Sequence, residues 1–229
     1  MEVKRYVLDI HDPMRARNQF KALLLLELCF LAGCGKEHAQ KPQQIADPVL
    51  LARREKDQMF KSGSESPLRE EDKARFQGLA YYDITPAYRF KVTLHRYPAP
   101  GTIRVATNTE EIRQALRYGY FDFEVDGRMC RLQVYRMLED NETGGSHLFI
   151  PFRDGTTGKE TYGGGRYIDL QENTTGIYEL DFNRAYSPYC VYGRDYSCPL
   201  PPRENTLPVP IYAGEKNFPL QREEKGAKG

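Results

Sequence analysis

The chain has 229 residues, with 33 Lys+Arg against 32 Asp+Glu and a formal charge of +1. That balance removes the electrostatic case for nucleic acid or an anionic membrane surface as a partner. A content of 40% hydrophobic and 12% aromatic residues excludes wholesale disorder, while 19 Gly and 15 Pro argue for a turn-rich chain rather than a helical bundle.

Residues 1–33 read as an address. Arg15, Arg17 and Lys21 form a positive region, Leu23 to Leu31 a short apolar one, and Leu31-Ala32-Gly33-Cys34 matches a bacterial lipobox. Small residues of that kind fit a signal-peptidase cleft, and the Cys34 thiol would carry the lipid. The apolar run is too short for a persuasive spanning helix. Met14 offers a second start, because the stretch after it reads as an ordinary signal opening. The competing reading, a buried N-terminal helix of a cytosolic protein, leaves the LAGC tetrapeptide without a reason. Cleavage before Cys34 removes five basic and four acidic residues and leaves 28 of each, a neutral body on a lipid anchor. The expected location is the bacterial cell envelope, with the membrane as partner through the anchor.

The expected organisation is a polar tether over 34–46, a single β-rich domain over 47–220 and a solvated tail over 221–229. Asp47-Pro48 sets an N-cap before Pro at the first helical position, so 48–61 predicts a helix ended by Gly63. Ser66-Pro67 repeats the signal and predicts a short helix over 67–77, with Gly78 at its end. From Tyr81 the period becomes two. Tyr88, Phe90, Val92 and Leu94 alternate with polar residues as a half-buried strand, and Ile103 and Val105 mark another. Residues 109–117 read as a short helical turn. Residues 118–125 and 128–137 flank Asp126-Gly127, the strongest hairpin signal in the chain. Residues 148–152, 166–170 and 177–182 predict three more strands. The fold class expected is mainly β: an antiparallel sandwich or barrel-like domain with short N-terminal helices. The proline-rich stretch 199–220, carrying Leu200, Leu207, Val209, Ile211 and Tyr212, reads as a wrap around the domain.

Familiar motifs are absent. GTTGKE at 155–160 is too short between its glycines for a phosphate loop, and GGG at 163–165 lacks the third dinucleotide glycine. No His/Cys pair has zinc spacing and no G-x-S-x-G occurs. No metal, no cofactor and no nucleic-acid partner is expected.

The specific information lies in SPL at 66–68, DITPAYRF at 83–90, PFRD at 151–154, ETYGGGRYIDL at 160–170, DFNRAYSPYC at 181–190, YSCPLPPREN at 196–205 and LPVPIYAGEK at 207–216. With these pieces the chain resembles a functionally uncharacterised bacterial domain family that has secreted and lipid-anchored members. The resemblance spans about 66–216 and implies the domain but no activity.

Read from the residues, Arg153, Asp154, Glu160, Tyr162, Arg166, Asn183 and Tyr189 are the candidate ligand set. Fixed-fork guanidinium groups, carboxylates and phenols at strand ends suit a small polar or anionic ligand if they converge. The alternative is a buried polar network that fixes loops and binds nothing. Cys130 reads as a small buried hydrophobe. Cys190 and Cys198 are expected to form a disulfide in an oxidising compartment; a sharper reading makes Cys190 a thiolate nucleophile with His147 or His95 as base. Three functions stand in order: an envelope protein binding a small ligand or another envelope component, a structural or assembly protein without a ligand site, and a hydrolase or transferase using Cys190 or a carboxylate such as Glu160 or Asp154.

Overall fold

The computed structural model describes residues 47–138, 147–193 and 196–220. The expected signal peptide, Cys34 and its tether, and the expected tail over 221–229 lie outside the described residues.

Helix α1 runs Pro48–Ser62. The Asp47 carboxylate accepts from the Val49 N–H at 2.9 Å and the Gly63 N–H returns to the Met59 carbonyl, so both ends are closed by the residues whose type predicted them. One face buries Val49 and Phe60 and carries Arg53 and Lys56 between them. The second helix is shorter than expected: α2 is the single turn Glu70–Lys73. The Ser66 hydroxyl accepts from the Leu68 N–H and donates to the Phe60 carbonyl, so the start signal there is spent on a local turn. Leu68 and Phe76 then drop into a small cluster with Phe60, Leu79, Val191, Tyr192 and Phe218.

Eight strands follow: β1 Arg89–Thr93, β2 His95–Arg96, β3 Thr102–Ala106, β4 Ile112–Val125, β5 Arg128–Met137, β6 His147–Phe152, β7 Arg166–Gln171 and β8 Ile177–Asp181. All pairings between these strands are antiparallel. The larger sheet has the order β2-β4-β5-β6-β7, with β3 also pairing β4, and β1 and β8 form a separate ribbon. The main core joins the ribbon to the sheet: Val92, Leu94, Tyr178 and Leu180 meet Phe121, Leu132, Val134, Ile150 and Ile168. The described strands do not close into a barrel. The fold is mainly β with a helix at the start of the domain, as the two-residue periodicity indicated.

The β4–β5 hairpin turns at Asp126 (φ 49°) and Gly127 (φ 75°), the paired left-handed conformation that two-residue turns use. The helical turn expected at 109–117 is a strand instead. Ile112, Ala115 and Leu116 have helical spacing, but β4 pairs Ala115 with Ile103 on one side and Met137 on the other. Ladder bonds on both edges outweigh a weak local preference. The proline-rich stretch wraps the domain: Leu207, Val209, Ile211 and Ala213 enter the main core, while Tyr212 stays exposed.

Candidate functional site

The site is a cleft of about 890 Å3 between α1 and the segment after β8. From α1 come Arg53, Glu55, Lys56 and Met59; from β4 Arg113; from β7 Asp169. The DFNRAYSPYC segment supplies Asn183, Arg184, Tyr186 and Tyr189, and Tyr196, Ser197 and Cys198 close the far side with Tyr81 opposite.

Arg53 ties the helix to the wall. Its guanidinium donates to the Tyr82 carbonyl at 2.9 Å and the Asn183 carbonyl at 3.1 Å, and lies 4.3 Å from the Tyr81 ring centre. Burial pulls Arg53 below its ordinary value, which is so high that the group stays charged. The Lys56 ammonium donates to Glu215 at 2.8 Å and sits over the Tyr186 ring at 5.1 Å and the Phe60 ring at 5.4 Å. Glu215 is 1% exposed and also accepts from the Tyr192 hydroxyl. Burial, reinforced by that carboxylate, pushes the Tyr192 phenol far up, so it remains a donor.

Asp169 joins the two sides. It accepts from the Tyr186 hydroxyl and pairs with His147 Nε2 at 3.0 Å. The Tyr186 phenol is likewise held protonated, by burial first and then by Asp169. Arg113 lines the cleft with its Nε 3.7 Å from the Glu111 carboxylate, and the Nε of Arg53 is buried without a hydrogen-bond partner. No group of three His, Cys, Asp or Glu among the described residues could hold a metal.

The sequence-derived set divides. Asn183 and Tyr189 line the cleft; Arg153, Asp154, Glu160, Tyr162 and Arg166 do not. Arg166 and Asp154 face one another at 2.8 Å with their side chains 1% and 0% exposed. The same guanidinium donates to the carbonyls of Ile211, Ala213 and Glu215, which fastens the wrapping stretch to β7. Arg153 donates to the Pro201 carbonyl at 2.9 Å, and Glu160 is exposed. Asn183 is buried: it donates to Asp181 and Thr85 and accepts from the Thr85 N–H, holding the cleft wall rather than offering a free amide. Tyr162 touches Cys190, its hydroxyl 3.9 Å from Sγ.

The structure holds Cys190 and Cys198 as free thiols rather than as the expected disulfide. Cys190 is half-buried and Cys198 is 7% exposed. The neighbouring Cys190 thiol, backbone N–H groups and the Arg113 charge bring Cys198 down to about 7, against burial. The neighbouring Cys198 thiol and burial push Cys190 up. Cys130 is a buried small residue, as its strand alternation indicated.

Sequence reading missed Arg53, Lys56, Arg113, Asp169 and Arg184. The amphipathic pattern of α1 carried a signal, since Arg53 and Lys56 interrupt its buried stripe at helical spacing. Arg113 had none, because its segment reads locally as helix.

Comparison with known proteins agrees with this architecture. The uncharacterized protein from gene locus rrnAC0354 of Haloarcula marismortui, a solution NMR structure, is 36% identical to this chain. The match covers 73% of this chain and 91% of that one, with a TM-score of 0.57. No curated protein matches. The family model described as a protein of unknown function (DUF1684) matches residues 74–216, which hold every strand, the wrapping stretch and the far wall of the cleft, and the chain belongs to that family.

Proposed function

We propose that this protein is anchored by lipid in the bacterial envelope and binds a small anionic ligand in the α1 cleft. The charge of the lining carries the binding half: Arg53, Lys56, Arg113 and Arg184 stand against Glu55 and Asp169. Asp169 is already engaged by His147 and Tyr186, and of the cations Lys56 is paired with Glu215, Arg113 with Glu111 at 3.7 Å and Arg184 with Asp181 at 3.9 Å, which leaves the buried Nε of Arg53 as the donor without an acceptor. A buried donor without a partner is costly until an acceptor reaches it. Tyr81, Tyr186, Tyr189 and Tyr196 add flat amphipathic faces. A carboxylate or phosphate on a planar or partly apolar body fits that chemistry.

The test is thermal unfolding of the full chain with inorganic phosphate and with small aliphatic and aromatic carboxylates. A binding anion at a hundred-fold excess over Kd stabilises the fold by about 2.7 kcal/mol, and the shift shrinks in Arg53→Gln and Arg113→Gln. No shift with any of these anions would sink the reading. The location rests on the LAGC tetrapeptide. Intact mass of protein made in a lipidating bacterium should show acyl chains on Cys34, and Cys34→Ser should release the protein from the membrane fraction; an unmodified N-terminus counts against the anchor.

A further inference from the structure

Of the two sequence-derived residues that line the cleft, Asn183 is buried and Tyr189 is 37% exposed. Tyr189 opens the 3-10 turn Tyr189–Tyr192, whose Val191 and Tyr192 are buried in the small cluster with Phe60. Its ring makes inclined contacts with Phe60, Tyr192 and Tyr196, at centre separations of 6.2, 6.3 and 5.4 Å and interplanar angles of 70°, 63° and 61°. Phe60 and Tyr192 are at most 1% exposed, so two of the three supports are fixed by the core. None of the three is parallel to the ring, so its plane is set without a stacked partner. Burial, then Tyr196 and Glu215, push the phenol up, so the ring brings no negative charge against an anion. Val49, Ala52 and Met59 add an apolar strip along one face of α1, about 15 Å long at the helical rise.

The spare positive charge of the lining is small. Arg53 spends both terminal nitrogens on carbonyls, and Lys56 stays with the buried Glu215. Arg113 and Arg184 are held more loosely, 3.7 Å from Glu111 and 3.9 Å from Asp181, and Asp181 is already taken by Arg89 at 3.2 Å and by Asn183. Partly exposed pairs at such distances hold weakly, so these two guanidinium groups are the ones free to turn toward a ligand. With a carboxylate or carbonyl beside every cation, the cleft has room for one added negative charge rather than two. Its volume of about 890 Å3 lies in the upper part of the range that small-molecule sites span, roughly 300–1,000 Å3, so an inorganic ion would leave most of it to water.

We propose that the α1 cleft selects planar aromatic monocarboxylates of two-ring size, and that Tyr189 is the residue that selects the flat ring. This rests on the reading of the cleft as an anion site and narrows it. The carboxylate meets Arg113 or Arg184, the ring system lies on the open part of Tyr189, and its far edge covers the Val49–Met59 strip. A flat ring stacks on a tyrosine whose plane is already fixed, and the ordering cost of that side chain has been met by the core. A saturated ring of the same charge and carbon count is thicker and has no quadrupole, so it gains burial but not stacking. A phosphate monoester carries a second negative charge for which the lining holds no further loosely paired cation.

The experiment titrates the full chain with 2-naphthoate, its decahydro counterpart and 2-naphthyl phosphate, and reads Kd by calorimetry. The chain has 16 Tyr and no Trp, so naphthoate emission excited through tyrosine gives a second readout. The expected result is that naphthoate binds roughly two- to ten-fold more tightly than the decahydro acid, and more tightly than the phosphate. Tyr189→Leu should bring the ratio of the two acids to about one by removing the stacking partner, and Tyr189→Phe should keep it. Tyr212→Leu, on a tyrosine that is 48% exposed and outside the cleft lining, should change neither affinity. The double variant Arg113→Gln/Arg184→Gln should weaken both acids by the same factor and leave their ratio intact. Equal affinities for the two acids in the unaltered chain, a ratio that survives Tyr189→Leu or a ratio lost in Tyr189→Phe overturns the ring selection. Tighter binding of the phosphate overturns the single charge, and unchanged affinities in the double arginine variant overturn the placing of the carboxylate. Thermal stabilisation by inorganic phosphate without binding of naphthoate removes the aromatic class alone, whereas failure of every anion removes the anion site and this inference together.

Discussion

Asp154 and Arg166 show what a single residue does in this fold. Both side chains are enclosed, and the guanidinium is shared between one carboxylate and three carbonyls of the wrapping stretch. Asp154→Asn leaves a buried positive charge without its partner, and the expected cost is about 3–5 kcal/mol in denaturant unfolding. Glu160→Gln, on an exposed side chain six positions away, should stay within about 0.5 kcal/mol. Similar costs for the two would contradict the network. The sulfurs give a pH prediction. The folded pair loses its first proton at about 7, whereas an unfolded thiol does so near 9.0, and the second proton is held well above that. Between those values the unfolded chain binds more protons, so stability rises with pH; above 9.0 the folded pair keeps one proton that the unfolded chain has lost, and stability falls. Measured against a Cys190→Ser/Cys198→Ser double variant, the reduced protein should therefore gain stability from neutral pH upward and pass a maximum near 9.0. A flat difference would sink that prediction.

Glycines separate local from tertiary demands at the level of elements. Gly127 has a positive φ, and a Cβ there would meet nothing within 4 Å, so Gly127→Ala should cost about 1 kcal/mol as backbone strain alone. Gly214 (φ 78°) is different: a Cβ there would lie 2.6 Å from the Ala185 carbonyl and 2.7 Å from that of Phe182. Both are backbone atoms, and Ala185 lines the cleft. Gly214→Ala should destabilise more than Gly127→Ala and also weaken anion binding, which Gly127→Ala should leave unchanged. Thermal unfolding with and without the anion reads both effects. The elements themselves were largely legible. The predicted helix over 48–61 is α1, because its cap, its first-position proline and its terminal glycine act within a few residues of one another. The Asp126-Gly127 hairpin and the strands on either side are legible for the same reason. The 109–117 segment was not, because its conformation is decided by Ile103 and Met137, which pair with Ala115 from other strands.

For the whole molecule, the wrapping stretch is part of the core. Leu207, Val209, Ile211 and Ala213 are at most 3% exposed, so a chain ending before residue 207 should lose cooperative unfolding altogether. A truncated protein that retains a sharp thermal transition would contradict that. The β-rich class, the capped helix, the hairpin and the burial of the proline-rich stretch could be read from the residues alone, since capping, turn chemistry and alternation are short-range effects. The cleft could not be read that way, because it is made by long-range packing. Arg53 and Asn183, 130 positions apart, meet because two surfaces had to be buried against each other, and no local pattern encodes that meeting.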